Sequence, residues 1–193
     1  LPEKLIPFDI ETFLASPIRC VTAATDCVTG EALYYDKNEL KYDYLTVLKA
    51  SSSLPFIAKP VEYKGRTLMD GGLADSIPLD RAARDGFPKQ VVILTRPRAY
   101  RKKSPRFTFL PPGQGRKYPG LLAALKNRHA VYNQTLDRIE ELEKEGRIFV
   151  IRPEHDPPAG RVERNIAKIY LTYDQGYAAA DAAWGRLMAW LKQ

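Results

Sequence analysis

Apolar residues along the chain group into short strands and helices. Ile10, Phe13 and Leu14 recur at helical spacing behind Asp9, a side chain suited to cap a helix N-terminus, and Ser16-Pro17 ends that turn. Residues 18–25 (IRCVTAAT) are β-branched and nearly apolar throughout, which predicts a strand covered on both faces. A turn over residues 26–31 leads to a second strand at 32–35. Tyr44, Leu45 and Leu48 place a helix over 42–50, which runs out in Ser51-Ser52-Ser53-Leu54-Pro55 because proline disfavours helical geometry in the residue before it. Residues 61–63 and 67–69 read as a hairpin turned by Lys64-Gly65.

The second half changes character twice. Pro78 opens a helix carrying Leu79, Ala82 and Ala83, closed by Asp85-Gly86, and residues 90–95 (QVVILT) follow as another buried strand. Strand, helix, strand with short connections is the α/β pattern and predicts parallel, right-handed pairing. Residues 96–109 then interleave Arg96, Arg98, Arg101, Lys102, Lys103 and Arg106 with Tyr100, Phe107 and Phe109, and Pro111-Pro112-Gly113-Gln114-Gly115 prolongs the irregular stretch. From Pro119, one helical face carries Leu121, Leu122, Leu125, Val131, Thr135, Ile139 and Leu142 until Gly146, and residues 147–151 form a last strand. The final helix, from about Glu163, aligns Ile166, Tyr170, Tyr173, Tyr177, Ala180, Trp184, Leu187 and Leu191 at alternating steps of four and three. A coiled-coil partner would produce such a seam; packing against the domain's own sheet is the favoured reading, which makes the stripe core.

Length and composition narrow this picture. At 193 residues, 45% hydrophobic and 10% aromatic, the chain is long enough for one domain with a core. No run of eighteen apolar residues and no basic-then-apolar leader occurs, so a cytoplasmic protein, at most peripheral to a membrane, is expected. Cys20 and Cys27 are too few for a disulfide framework or a zinc site and are expected to be reduced and structural. The net charge of +7 fits anionic partners and ordinary soluble domains alike. The basic segment is compatible with contact to an anionic lipid surface, but without a compact recognition motif the plainer reading of a solvated loop is preferred, and no nucleic-acid partner is expected.

The candidate chemistry centres on Asp70, followed at once by Gly71 and Gly72. The carboxylate falls at the end of a strand, where active groups of α/β sheets gather, and two residues without Cβ let a second backbone or a substrate come close. Asp-Gly-Gly alone is a turn-like triplet, so the surrounding sequence carries the assignment. Residues 50–79 (ASSSLPFIAKPVEYKGRTLMDGGLADSIPL) present an Ala-Ser-rich helix end and Pro55, then Pro60-Val61 before a hairpin centred on Gly65, then Asp70-Gly71-Gly72 before Pro78. This order resembles the patatin-like phospholipase family around its catalytic aspartate. Residues 23–35 (AATDCVTGEALYY) are similar to that family's strand pair.

The resemblance implies the C-terminal portion of a three-layer α/β/α sandwich. It implies a Ser-Asp dyad that hydrolyses lipid acyl esters without histidine, with Asp70 as the base and Gly71 and Gly72 as its loop; no HExxH, paired-cysteine, GxxxxGK or GxGxxG pattern occurs, so no metal or cofactor is expected. Taking a proton from a serine hydroxyl asks for a sheltered carboxylate, which an apolar strand end supplies. On this view residues 1–193 are part of one hydrolase domain, with a catalytic-Asp sheet region at 1–95, a basic loop at 96–117 and a helical part with one strand at 118–193. No GxSxG elbow and no glycine-rich oxyanion loop occurs, so both are expected upstream of Leu1, and the chain alone is expected to be inactive. Ser51, Ser52 and Ser53 lack flanking glycines and read as helix-end hydroxyls; His129 and His155 read as structural or solvated. Ser76 stands where many family members carry Asn, which puts the bracing of the loop after Asp70 in question. The alternative is a non-catalytic lipid-surface module on the same fold. Missing strands would leave apolar surface open to self-association.

Overall fold

A computed structural model describes residues 7–105, 113–160 and 162–193. The expectations for Arg106, Phe107, Phe109 and Pro111-Pro112 fall outside them. The chain divides into two compact units, Leu1–Pro78 with Lys103–Tyr132 and Leu79–Lys102 with Asn133–Gln193. Helices and sheets occur together, as an α/β chain requires.

In the first unit, α1 (Ile10–Ala15) is capped by Asp9, whose Oδ1 accepts from the Thr12 amide at 3.0 Å. Strand β1 (Val21–Asp26) starts later than the apolar run suggested, and Ile18, expected in the sheet, is 74% exposed. It pairs with β2 (Ala32–Asp36) on one side and β4 (Arg66–Asp70) on the other, and β3 (Val61–Tyr63) closes the order β2-β1-β4-β3, antiparallel throughout. Lys64 and Gly65 both take positive φ, 46° and 73°, as the tight β3–β4 turn needs.

Successive residues of a strand point to opposite faces, and β4 uses both. Leu68 joins Ala24, Tyr63 and the buried residues Tyr44, Val47 and Ala50 of α3 (Tyr44–Ser51). Met69, one step on, joins Cys27, Leu73 and the residues Tyr118, Leu121 and Ala124 at the start of α6 (Pro119–Lys144). Helical residues therefore cover each face of this sheet. The short helix α2 (Lys37–Leu40) follows β2 directly, and α5 (Gln114–Lys117) precedes α6. Two of the first amides of α6, at Gly120 and Leu121, donate to the Val28 and Cys27 carbonyls at 3.0 and 2.9 Å, which satisfies groups a helix start leaves open. Lys37 is 1% exposed, and its Nζ donates to the Phe13 and Ser16 carbonyls at the end of α1.

The second unit holds α4 (Leu79–Arg84), β5 (Gln90–Ile93), the second half of α6, β6 (Ile148–Ile151) and α7 (Ile166–Leu191). Parallel pairing is present, but one element later than the strand–helix–strand reading placed it: β5 takes β6 as its neighbour, with Gln90 opposite Ile148 and Ile93 opposite Ile151. Nor is β5 covered on both faces. Val92 and Leu94 are buried, whereas Val91 and Ile93 are 41% and 73% exposed.

The α7 seam is the larger correction. Ile166, Tyr170, Tyr173, Tyr177 and Trp184 are each at least 60% exposed, so the stripe read as core faces outward. The helix docks instead through Ala183 and Trp190; the indole Nε1 donates to the Gly146 carbonyl at 2.8 Å, and its ring lies 5.9 Å from that of Phe149 on β6. On α6, Leu121, Ile139 and Leu142 are buried as expected, but Val131 is exposed. Among the described residues no helix is long and apolar enough to cross a membrane.

Candidate active site

Asp70 is the last residue of β4, half-buried, opposite Ala24 of β1. Its backbone is held twice: the amide donates to the Ser53 carbonyl at 3.1 Å, and the carbonyl accepts from Thr25 Oγ1 at 2.8 Å. Its side chain is held once, where Oδ1 accepts from the Gly72 amide at 2.7 Å. Among the described residues nothing donates to Oδ2.

The two glycines have different reasons to lack a side chain. A Cβ on Gly71 would sit 2.3 Å from the Ala23 carbonyl oxygen and 2.9 Å from the Ala23 Cβ, so the chain after Asp70 lies flush against β1 and admits nothing larger than hydrogen. A Cβ on Gly72 would meet Asp70 Oδ1 at 3.1 Å and Arg128 Nη2 at 3.4 Å, crowding the carboxylate itself. Gly71–Leu73 form a single 3-10 turn, which aims the Gly72 amide back at Asp70.

Four side chains brace this turn, and only Ser76 stood out in the sequence. Ser76 Oγ donates to the Gly72 carbonyl at 2.6 Å, so the serine found in place of Asn does fasten the loop. Arg128 Nε, from α6, donates to the same carbonyl at 2.6 Å. The fully buried Thr25 donates to Asp70 and accepts from the Ala74 amide at 3.2 Å. Tyr34 on β2 donates to Asp75 Oδ2, and the Asp75 amide donates to the Gly71 carbonyl at 3.0 Å. Arg128 occupies the apolar face of α6, seven residues beyond Leu121, and a charged residue on that stripe was the available signal for it.

Asp26, at the end of β1, is a structural carboxylate. Burial would push it up, but hydrogen bonds from the Thr29 and Val28 amides and from Arg66 hold it below the ordinary carboxylate range. The neighbouring Cys27 thiol is pushed up to about 12, by burial first and then by Asp26 and Glu62, which fits the expected inert role. Ser52 and Ser53 donate to the Leu48 and Lys49 carbonyls at 2.6 and 2.8 Å, the helix-end bonding predicted for them. His129 lies within α6, its Nδ1 3.0 Å from the Lys126 carbonyl oxygen.

The basic stretch is not simply a solvated loop in its described part. Arg96 pairs with Asp156, Arg98 with Glu143, and Arg101 with Asp137 and Glu140, all within the second unit. The Lys102 amide and carbonyl meet the Asn133 side chain at 2.8 and 3.0 Å.

Fold and site together define an α/β protein with a tethered aspartate and a glycine pair at a strand end. Residues 3–83 match the family model described as Patatin-like phospholipase. Residues 118–192 match a second model, Domain of unknown function (DUF6363). "Uncharacterized protein YjjU" of Escherichia coli is 36% identical over 93 residues, covering 42% of this chain and 26% of that protein. "Uncharacterized NTE family" proteins of Mycobacterium tuberculosis and Mycobacterium bovis are each 32% identical over 63 residues, covering 33% of this chain and 16% of theirs. The matched part thus spans about a quarter or less of these relatives.

Proposed function

We propose that this chain contributes the aspartate of a Ser-Asp dyad to a lipid acyl ester hydrolase of the three-layer α/β/α type. The observation that carries the reading is the uneven tethering of Asp70, with Oδ1 fixed by the Gly72 amide and Oδ2 without a donor among the described residues. A carboxylate held in that way keeps one oriented oxygen for an incoming hydroxyl. The serine hydroxyl gives its proton to Oδ2 as its oxygen attacks the acyl carbonyl, and the carboxylic acid then protonates the departing alkoxide. In the second half Asp70 takes the proton of a water that attacks the acyl-serine, and returns it to the serine oxygen as the fatty acid leaves. The Gly71 contact with β1 and the bonds from Thr25, Ser76 and Arg128 hold the base in register through both halves.

The nucleophile comes from sequence outside these 193 residues, because none of them lies in a GxSxG elbow and the Ser52 and Ser53 hydroxyls are engaged by helix-end carbonyls. The family match over residues 3–83 supports the reaction class. The alternative of a lipid-surface module drew on the cations of residues 96–109, and Arg96, Arg98 and Arg101 are committed to carboxylates. The test is hydrolysis of p-nitrophenyl acyl esters by the full-length natural protein and by this chain. Turnover by the former and none by the latter is expected; inhibitor-sensitive turnover by the chain alone would overturn the assignment.

A further inference from the structure

Along α7, the stripe of Ile166, Tyr170, Tyr173, Tyr177 and Trp184 is left in solvent by the described residues, each member at least 60% exposed. The stripe runs on through Ala180 and Leu187 to Leu191, and none of its positions is charged. It is separate from the face that docks the helix through Ala183 and Trp190, so covering it would disturb none of that packing. Four aromatic rings with ~150 Å² of exposed surface each, and the aliphatic positions beside them, come to on the order of 800 Å². A monomer seldom leaves more than a few hundred Å² of contiguous apolar surface in water, and about 800 Å² per partner is what a stable protein–protein interface buries.

The repeat fixes which residues share the stripe; area and charge decide what covers it. A bilayer surface fits poorly. At about 100° per residue, Asp174 and Asp181 border the stripe while Lys168 and Arg186 lie on the far side of the helix, so an anionic membrane would meet carboxylates first. A second α7 fits better. Its stripe has the same length, spacing and lack of charge, and steps of four and three let the side chains of one helix enter the gaps of another. The tyrosine rings are buried in such a pair while their hydroxyls reach water at its margins. In a parallel pair, Asp174 comes beside the partner's Ile169 and Asp181 beside the partner's Gly176, so no like charges meet. An antiparallel pair centred on the stripe would set Asp174 against the partner's Asp181, which is unfavourable.

We propose that α7 is a self-association surface, on which a second copy of this chain docks its own α7 in parallel. This does not rest on the acyl-hydrolase reading, since every residue of the stripe belongs to the second unit. The test is sedimentation velocity of the full-length natural protein and of this chain, from about 1 to about 100 µM. Both should form a dimer. Tyr177→Glu, at a position 66% exposed in the single copy, should keep the fold and raise the dimer's Kd by at least about tenfold, because it buries an unpaired charge in the pair. Leu171→Glu, exposed but off the stripe, should leave the Kd unchanged. Ile166→Cys should give an intermolecular disulfide under mild oxidation, beyond any formed by the parent, because parallel helices bring these ends together and antiparallel ones hold them a helix length apart. Unfolding measured well below the Kd reports the single copy, in which the rings are exposed. A full-length protein still monomeric at about 100 µM, a dimer indifferent to Tyr177→Glu, or no Ile166→Cys disulfide would overturn the proposal. A dimer of this chain alone would overturn it in favour of cover from elsewhere in the full-length protein. Capture by phosphatidylglycerol vesicles that Tyr177→Glu abolishes would overturn it in favour of a lipid surface.

Discussion

Gly71 and Cys27 show what single positions contribute to the first unit. With 2.3 Å between a notional Cβ and the Ala23 oxygen, Gly71→Ala must push β1 and the loop after Asp70 apart, at a cost of about 1–3 kcal/mol. A urea unfolding curve should show the midpoint falling accordingly, and an unmoved midpoint would mean that the close approach is not real. For Cys27, the folded thiol holds its proton to about 12 against an ordinary value of 9.0, so the folded state binds the proton more tightly. Its contribution to stability is therefore complete below pH 9 and is lost as pH rises from 9 towards 12. In native chain at pH 8, a thiol reagent should leave Cys27 unmodified and should reach it once denaturant is added; rapid native modification of Cys27 would contradict its burial. Asp70, Gly71 and Gly72 were legible because the triplet and its flanks are local in sequence. Thr25, Tyr34 and Arg128 were not, since each reaches the loop from 41 to 56 residues away.

At the scale of elements, the strands and helices were readable, and what each one faces was less so. The hairpin of β3 and β4 follows from Lys64-Gly65 and the residues beside it, and its register is fixed by the turn. For α7, a repeat of 3.5 tells which residues share a stripe and nothing about what lies opposite. The face that docks is marked by Ala183 and Trp190, seven apart, while the aromatic seam points away. The partner of β5 likewise depends on a strand more than fifty residues later, which no local pattern announces. The two tryptophans of α7 separate these readings. Trp190→Ala should cost about 3–5 kcal/mol through the lost packing, whereas Trp184→Ala should stay within about 0.5 kcal/mol. Thermal or urea melts of the two variants decide it, and equal losses would return the seam to the core.

On the scale of the whole chain, the tethered aspartate and most of the patatin-like stretch belong to the first of the two compact units. Asp70 Oδ1 is taken by the Gly72 amide, so in the proposed dyad Oδ2 would be the oxygen offered to the serine. The most direct measurement is the turnover of p-nitrophenyl acyl esters by the full-length protein carrying Asp70→Asn, an isosteric change that keeps an oxygen for the Gly72 amide. The account predicts that kcat falls by at least about a hundredfold with the unfolding midpoint within about 1 kcal/mol of the parent. Turnover equal to the parent's would contradict it.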